Sequence, residues 1–243
     1  MSSYAEVVVL VEGQTEQRFI REVLAPYMAV QGIYLTPIVL SKQGQKGGDV
    51  RFSRAKNDIR EHLWQRPDTC ITLMVDYYGI KSDWPGYVKS REQTNHTNKA
   101  KIINQATAME VTQLFPSQRP TSRFIPYVSM HEIEALYFSN PDCLASHLGV
   151  ERERIDQILR EYPNPEAIND DFSTTPSRRL ESLSRRFKKI STGIAIAQEV
   201  GISRMREVCS LFDTWLTELE SLVGCEEDEA PPPPFPPFFG EKP

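Results

Sequence analysis

Three short apolar runs in this chain each stop at an acidic residue. Val7–Val11 runs into Glu12, Ile71–Val75 into Asp76, and Phe124–Met130 into His131-Glu132, with Glu134 just beyond. Unbroken apolar runs of this length fit strands buried on both faces of a parallel sheet. After the first run the spacing turns helical. From Thr15 to about Met28 it sets Phe19, Ile20, Val23, Leu24 and Tyr27 on one face, with Pro26 expected to bend or fray the end. Tyr34–Leu40 reads as another strand, and about Val50–Trp64 and Lys99–Leu114 read as helices. This alternation predicts an α/β fold: a mostly parallel central sheet flanked by crossover helices.

Past about Ser139 the strand-like runs cease and short helical segments follow, including Pro141–Leu148, Glu151–Tyr162, Ser177–Lys188, Ile194–Val200 and Phe212–Val223. The expected organisation is an α/β domain over 1–140, a helical extension packed on it over 141–224, and an acidic, proline-rich tail over 225–243. The tail has no means of forming a core and is expected to be disordered or extended as polyproline II. Two loops stand out: Gln43–Gly48, rich in glycine, and the polar stretch Ile80–Thr97, long enough to suggest a functional loop.

A net charge of −5 means that any contact with nucleic acid must use a local basic face. The four cysteines are scattered without a C-x-x-C pair, which argues against a structural zinc site and for reduced thiols in a cytosol. The N-terminal segment lacks the basic and apolar regions of a signal peptide, and no apolar stretch is long enough for a membrane span. The Gln43–Gly48 loop lacks the Gly-Lys-Ser/Thr ending of a P-loop, so no ATP hydrolysis by this chain is expected.

The strands of a parallel sheet finish at one edge, and ligands bind outside it. Glu12, Asp76 and Glu132 are therefore expected to converge. Clustered carboxylates repel one another unless a cation sits among them, and oxygen donors suit Mg2+ or Mn2+. Gly13 offers a tight turn and close approach to the backbone, with the free N–H groups of the following helix behind it. Glu16 lies in that helix's first turn, where stabilising the helix dipole competes with metal binding. Asp83, in Ser-Asp-Trp-Pro-Gly, is either a further ligand or a turn residue. If His131-Glu132-Ile133-Glu134 opens a helix, Glu134 points about two hundred degrees away from Glu132, so the two are not expected to face one ion. Ala135 rules out a zinc-peptidase reading of the His-Glu pair.

The Val11–Glu16 segment, followed by a strand ending in Asp76, resembles the Toprim fold of topoisomerases, bacterial primases and overcoming-lysogenization-defect nucleases. More closely, the chain resembles a Toprim-like family of formerly unknown function. The likeness rests on V-E-G-x-T-E at Val11–Glu16, D-Y-Y-G at Asp76–Gly79 with W-P-G at Trp84–Gly86, H-E-x-E-A-L at His131–Leu136, P-S-R-R-L at Pro176–Leu180, and Lys188/Lys189 before Gly193. It covers roughly residues 6 to 220. The resemblance implies a Mg2+- or Mn2+-dependent nuclease, with Glu12 acting also as general acid or base; Glu12, Asp76 and Glu132 would be its catalytic metal-holding acids, and Lys189 or Arg178 would neutralise phosphate charge in the transition state. It also implies work beside an ABC-type ATPase in phage defence. One departure concerns the second motif, where many Toprim enzymes carry D-x-D and this chain has Tyr78 in place of the second acid.

Substrate contacts are expected along a helix from Pro176 to Lys189. At one hundred degrees per residue, Arg178, Arg185 and Lys189 align, flanked by Arg179 and Arg186, with Leu180, Leu183 and Phe187 opposite. Such a face suits a phosphate backbone, and equally suits solvent and the chain's excess acids. Two other functions stay open: phosphoryl chemistry on a nucleotide-like small molecule, and a non-catalytic adaptor for an ATPase. Whether the chain is a monomer or a homo-oligomer is also open.

Overall fold

The computed structural model describes residues 4–41, 50–168 and 174–223. The expected Gln43–Gly48 loop and the 225–243 tail lie outside them. The core is a five-stranded parallel sheet: β1 (Ala5–Val11), β2 (Ile33–Val39), β3 (Cys70–Asp76), β4 (Phe124–Ile125) and β5 (Val128–Ser129). The order is β2-β1-β3-β4, with β5 also paired to β3. Val7 lies opposite Leu35 of β2 and Cys70 of β3, and Asp76 lies opposite Ser129 of β5. All strands therefore finish at the same edge.

The apolar runs are continuous because the sheet is covered on both sides. Val7, Val9 and Val11 face one core with Phe19, Ile20 and Leu24; Val8 and Leu10 face a second with Ala55, Ile59 and Leu63. Helices α1 (Gln14–Phe19) and α2 (Ala25–Ala29) cover the first side, and α3 (Phe52–Gln65) and α5 (His96–Leu114) the second, with the short α4 (Tyr87–Arg91) leading into α5. Between α1 and α2 the helix widens into a π turn over Ile20–Leu24. Pro26 explains it: the ring lacks an N–H and clashes with the carbonyl four residues back. That carbonyl, Glu22 O, accepts from Gln198 Nε2 at 3.5 Å instead.

The third apolar run is two strands, not one. Pro126 interrupts the ladder between β4 and β5, as expected for a residue with no donor. The Ile80–Thr97 stretch lies at the surface, as expected, but it contains α4 and is pinned to the core at Ile80, Trp84 and Ser90. Trp84 is buried, donates Nε1 to Thr107 Oγ1 at 2.9 Å, and meets Phe52 edge-on. Gly86 has φ +77° and lies so close to α5 that an added Cβ would sit 2.7 Å from the Ala106 Cβ. Asn95 caps α5, its Oδ1 accepting from the Thr97 and Asn98 N–H groups.

The C-terminal region is helical, as the loss of strand pattern predicts. After the short α6 (Pro120–Arg123) and a 3-10 stretch over Ile133–Ser139 come α7 (Pro141–Leu148), α8 (Arg152–Leu159), α9 (Pro176–Leu183), α10 (Ser191–Val200), α11 (Ile202–Val208) and α12 (Ser210–Glu220). It shares the first core with the sheet. Trp215 of α12 stacks on Tyr127 with ring centroids 4.5 Å apart and donates Nε1 to Thr72 Oγ1 of β3. Among the described residues no helix is long and apolar enough to cross a membrane.

Candidate functional site

At the carboxyl edge of β1, β3 and β5 the chain delivers Glu12, Asp76 and the His131–Glu134 segment. Tyr77 N donates to Ser129 O at 2.8 Å, tying the Asp76 turn to the end of β5. Asp76 Oδ1 accepts from Tyr78 N at 2.9 Å, which folds the turn back over the carboxylate. Gly79 completes it and meets Glu12: a Cβ added there would lie 2.7 Å from Glu12 Oε2. Glu12 and the Asp76 turn therefore touch, although sixty-odd residues separate them in sequence.

The electrostatics record the same convergence. Asp76 is pushed up to about 7, first by burial, then by the negative charges of Glu12 and Glu132, against a lowering contribution from Tyr78 N–H and His131. Glu16 is raised as well, mainly by burial, eased by the backbone N–H groups at Glu16 and Gly13 and by Lys189. It thus lies over the start of α1, in the helix-stabilising place expected of a first-turn acid, within the influence of Glu132. Gly13 is extended, with φ −155°, so its backbone does not require glycine; what the missing Cβ leaves is room for Glu16 Oε2, 3.3 Å from where it would stand.

Glu132 and Glu134 do not diverge as a helix would make them. Glu132 is extended (φ −61°, ψ 150°), and the 3-10 turn begins only at Ile133. Both carboxylates consequently reach Lys189, whose Nζ is 3.4 Å from Glu132 Oε1 and 3.6 Å from Glu134 Oε1. Burial lowers the Lys189 ammonium, but the charges of Glu134 and Glu132 outweigh it and the net shift is upward. Glu134 is fully enclosed, and burial pushes it up to about 8 in spite of Lys189. A helical wheel turns Glu134 away from Glu132, whereas the extended backbone at Glu132 leaves both on Lys189.

The other Glu132 oxygen, Oε2, accepts from Ser177 N at 2.8 Å, at the start of α9. A helix N-terminus favours an anion there. The Pro-Ser-Arg-Arg-Leu segment thereby anchors the helical region to the sheet edge through Glu132. A second buried anchor was not legible in sequence. Glu166 accepts from Leu211 N and Phe212 N at the start of α12 and stands 3.7 Å from His131 Nε2. Burial alone would raise the Glu166 carboxyl, but the His131 ring and the two N–H groups outweigh it and hold it below the usual range. His131 is thus the partner of a buried anchor.

Several expected residues lie elsewhere or act differently. Asp83 Oδ2 accepts from Ser53 N at 3.1 Å, capping α3 from outside, and is not among the charges that shift Asp76. Asp83→Ala is expected to cost about 1 kcal/mol of stability and to leave divalent-ion affinity unchanged, as checked by thermal denaturation and calorimetric titration. The basic helix is shorter than predicted. It ends at Leu183, because Ser184 is extended and its hydroxyl donates to Leu148 O. Arg185 and Lys189 therefore lie beyond it and do not share a helical face with Arg178. Arg179 is largely covered, held by Tyr162 Oη, Thr174 O and Glu161, whereas Arg178 is exposed. Beside Lys189 a shallow, open depression of about 710 Å³ is lined by Arg185, Lys188, Ser184 and Ser191 together with Glu181, Phe187 and Ile190. On the opposite side, Arg51 and Arg54 line a narrow crevice with Glu12. Nothing in the sequence pattern marked these two arginines.

The acids at the sheet edge do not by themselves form a closed cage. Among the described residues, three ligating atoms from His, Cys, Asp or Glu lie within 4.8 Å of one another at Cys143, His147 and Glu199 instead. Repulsion accounts for the opening: Glu132 turns toward Lys189 and Ser177, and Glu12 toward Gly79. Gly79→Ala tests how tightly Glu12 is placed. The new methyl meets the far end of a flexible side chain, so the fold should persist while Glu12 is displaced, with divalent-ion affinity falling about tenfold in calorimetric titration.

Comparison with known proteins adds the family but no activity. No curated protein and no solved structure matches the chain. A family model described as Domain of unknown function (DUF4276) matches residues 11–220, a span that begins beside Glu12 and takes in Asp76, Glu132, Glu134 and Lys189. The chain belongs to the DUF4276 family.

Proposed function

We propose that this protein is a Toprim-like, metal-dependent nuclease in which Glu12, Asp76 and Glu132 hold Mg2+ or Mn2+. One observation carries the reading: acids from three strand ends lie along a single edge, and desolvation, reinforced by the charges of Glu12 and Glu132, lifts Asp76 to about 7. Such an arrangement is unfavourable alone and is relieved by a divalent cation. The donors are all oxygen, which suits a hard ion rather than zinc or copper. When bound, the ion supplies Lewis acidity and neutralises phosphate charge.

The chain's own groups do the rest. Glu12 serves as the general base that takes a proton from the attacking water. Lys189, held protonated by its acidic neighbours, offsets negative charge building on the phosphate. Glu16 and Glu134 lie behind as acids that keep Lys189 in place, Glu16 also in reach of a second ion. Arg51 and Arg54 on one side, and Arg185, Lys188 and the exposed Arg178 on the other, contact the phosphate backbone. The open form of the depression beside Lys189 favours a polymer over an enclosed small phosphorylated molecule. Nucleic acid is thus the substrate, and by the resemblance the enzyme works beside an ABC-type ATPase in phage defence.

The test is cleavage of plasmid DNA, single-stranded DNA and RNA with Mg2+ or Mn2+. Nicking or degradation that stops with chelator is expected. Absence of cleavage of all three, in the presence and absence of a co-purifying ATPase, would count against a nuclease.

A further inference from the structure

The helical region carries a second cluster of ligating side chains, unrelated to the acids at the sheet edge. Cys143 and His147 lie four residues apart on α7 and so share one face. Glu199 lies in the last turn of α10, which packs against α7. One ligating atom from each falls within 4.8 Å of the other two. His147 Nε2 and Glu199 Oε2 are 2.6 Å apart. The three differ in exposure: Cys143 is buried, the His147 side chain is 23% exposed and that of Glu199 61%.

We propose that Cys143, His147 and Glu199 form a binding site for a zinc-class divalent ion that clamps α7 to α10. The donor chemistry is the first reason. A thiolate, an imidazole and a carboxylate are the ligands zinc takes, whereas Mg2+ avoids sulfur and nitrogen. Geometry is the second. At ordinary zinc–ligand lengths, neighbouring ligand atoms in a tetrahedron stand about 3.5 Å apart, so His147 Nε2 and Glu199 Oε2 part from their 2.6 Å contact to admit the ion while Cys143 stays within reach. Three protein ligands leave the fourth position to water, on the solvent side where His147 and Glu199 emerge. Without an ion, burial and the neighbouring Glu199 push the Cys143 thiol up to about 11, so binding releases its proton. The site also has a structural consequence: α10 begins two residues after Lys189, so clamping its far end steadies the segment that carries that lysine.

Cobalt is the probe, because a cobalt–thiolate bond gives an intense near-ultraviolet absorption that oxygen ligands do not. Full-length protein stripped with chelator and titrated with Co2+ should develop this band with one ion per chain, and Zn2+ but not Mg2+ should abolish it. Cys143→Ser should remove the band. His147→Ala and the surface variant Glu199→Gln should each weaken Co2+ binding at least tenfold. Glu12→Ala should leave the band unchanged, which separates this site from the acids at the sheet edge. The proposal is overturned if the wild type shows no thiolate band. It is equally overturned if the band survives Cys143→Ser, or if His147→Ala and Glu199→Gln both bind Co2+ as the wild type does.

Discussion

Asp76→Asn is expected to abolish metal-dependent cleavage while making the metal-free protein more stable at neutral pH. The two effects have one cause. Asp76 is half-buried, and desolvation together with the nearby charges of Glu12 and Glu132 lifts its carboxyl to about 7. Above that pH the folded protein must hold an ion that the unfolded chain keeps comfortably in water. Asparagine keeps the shape and the acceptor for Tyr78 N–H but removes the charge. Stability at pH 8 should rise by up to about 3–4 kcal/mol, read as an increased melting temperature in the absence of divalent ions. Cleavage should fall on the order of a thousandfold or more, as for loss of a principal electrostatic group. Glu12→Ala should lose activity to the same degree with a smaller gain in stability. Unchanged cleavage in both variants would remove the proposed chemistry, and a destabilised Asp76→Asn would contradict the electrostatic account of the site.

The second large effect is the pH dependence of the wild type. Asp76 and Glu134 are both raised, to about 7 and about 8. Between roughly pH 4 and pH 8 the folded state therefore binds more protons than the unfolded state, and stability falls as pH rises. Glu166 acts in the opposite sense at the acidic end. Its carboxyl is held below the usual range, so the stability it contributes is lost as pH drops through its folded pKa. The metal-free protein should be most stable near pH 4–5 and weaken by a few kcal/mol toward pH 8. Mg2+ should reverse much of that loss at pH 8 and little of it at pH 5, with about one proton released per ion bound at pH 6.5. Differential scanning calorimetry across pH, with and without Mg2+, reads the first part. Titration in buffers of different ionisation enthalpy reads the second. A melting temperature that climbs steadily from pH 5 to pH 8 without metal would contradict both shifts.

The sheet was readable because a parallel strand buried on two faces leaves an unmistakable mark. Val7–Val11 and Ile71–Val75 have no polar alternation, and each face has its own core waiting. Their terminal acids followed at once from the rule that such strands end together. What failed were inferences that assumed regular helix. The amphipathic spacing of Arg178, Arg185 and Lys189 continues past the point where Ser184 turns extended to donate its hydroxyl to Leu148 O, a bond made by tertiary structure alone. Glu134 was set aside by a helical wheel that does not apply at Glu132, whose backbone is still extended. Asp83 was ambiguous in sequence because metal ligand and helix cap use the same residue type, and only the position of Ser53 decides. Glu166 left no local signal: its partners are His131 and the first N–H groups of α12, at distant points of the chain.

In the proposed mechanism the acids that follow β1, β3 and β5 share one divalent ion. Crystals of the protein soaked in Mn2+, with data collected for anomalous scattering, test it directly. The predicted result is an anomalous peak ligated by Glu12, Asp76 and Glu132, with Glu132 drawn away from Lys189. A map with no peak among these carboxylates at saturating Mn2+, or an ion bound only on other groups, would contradict it.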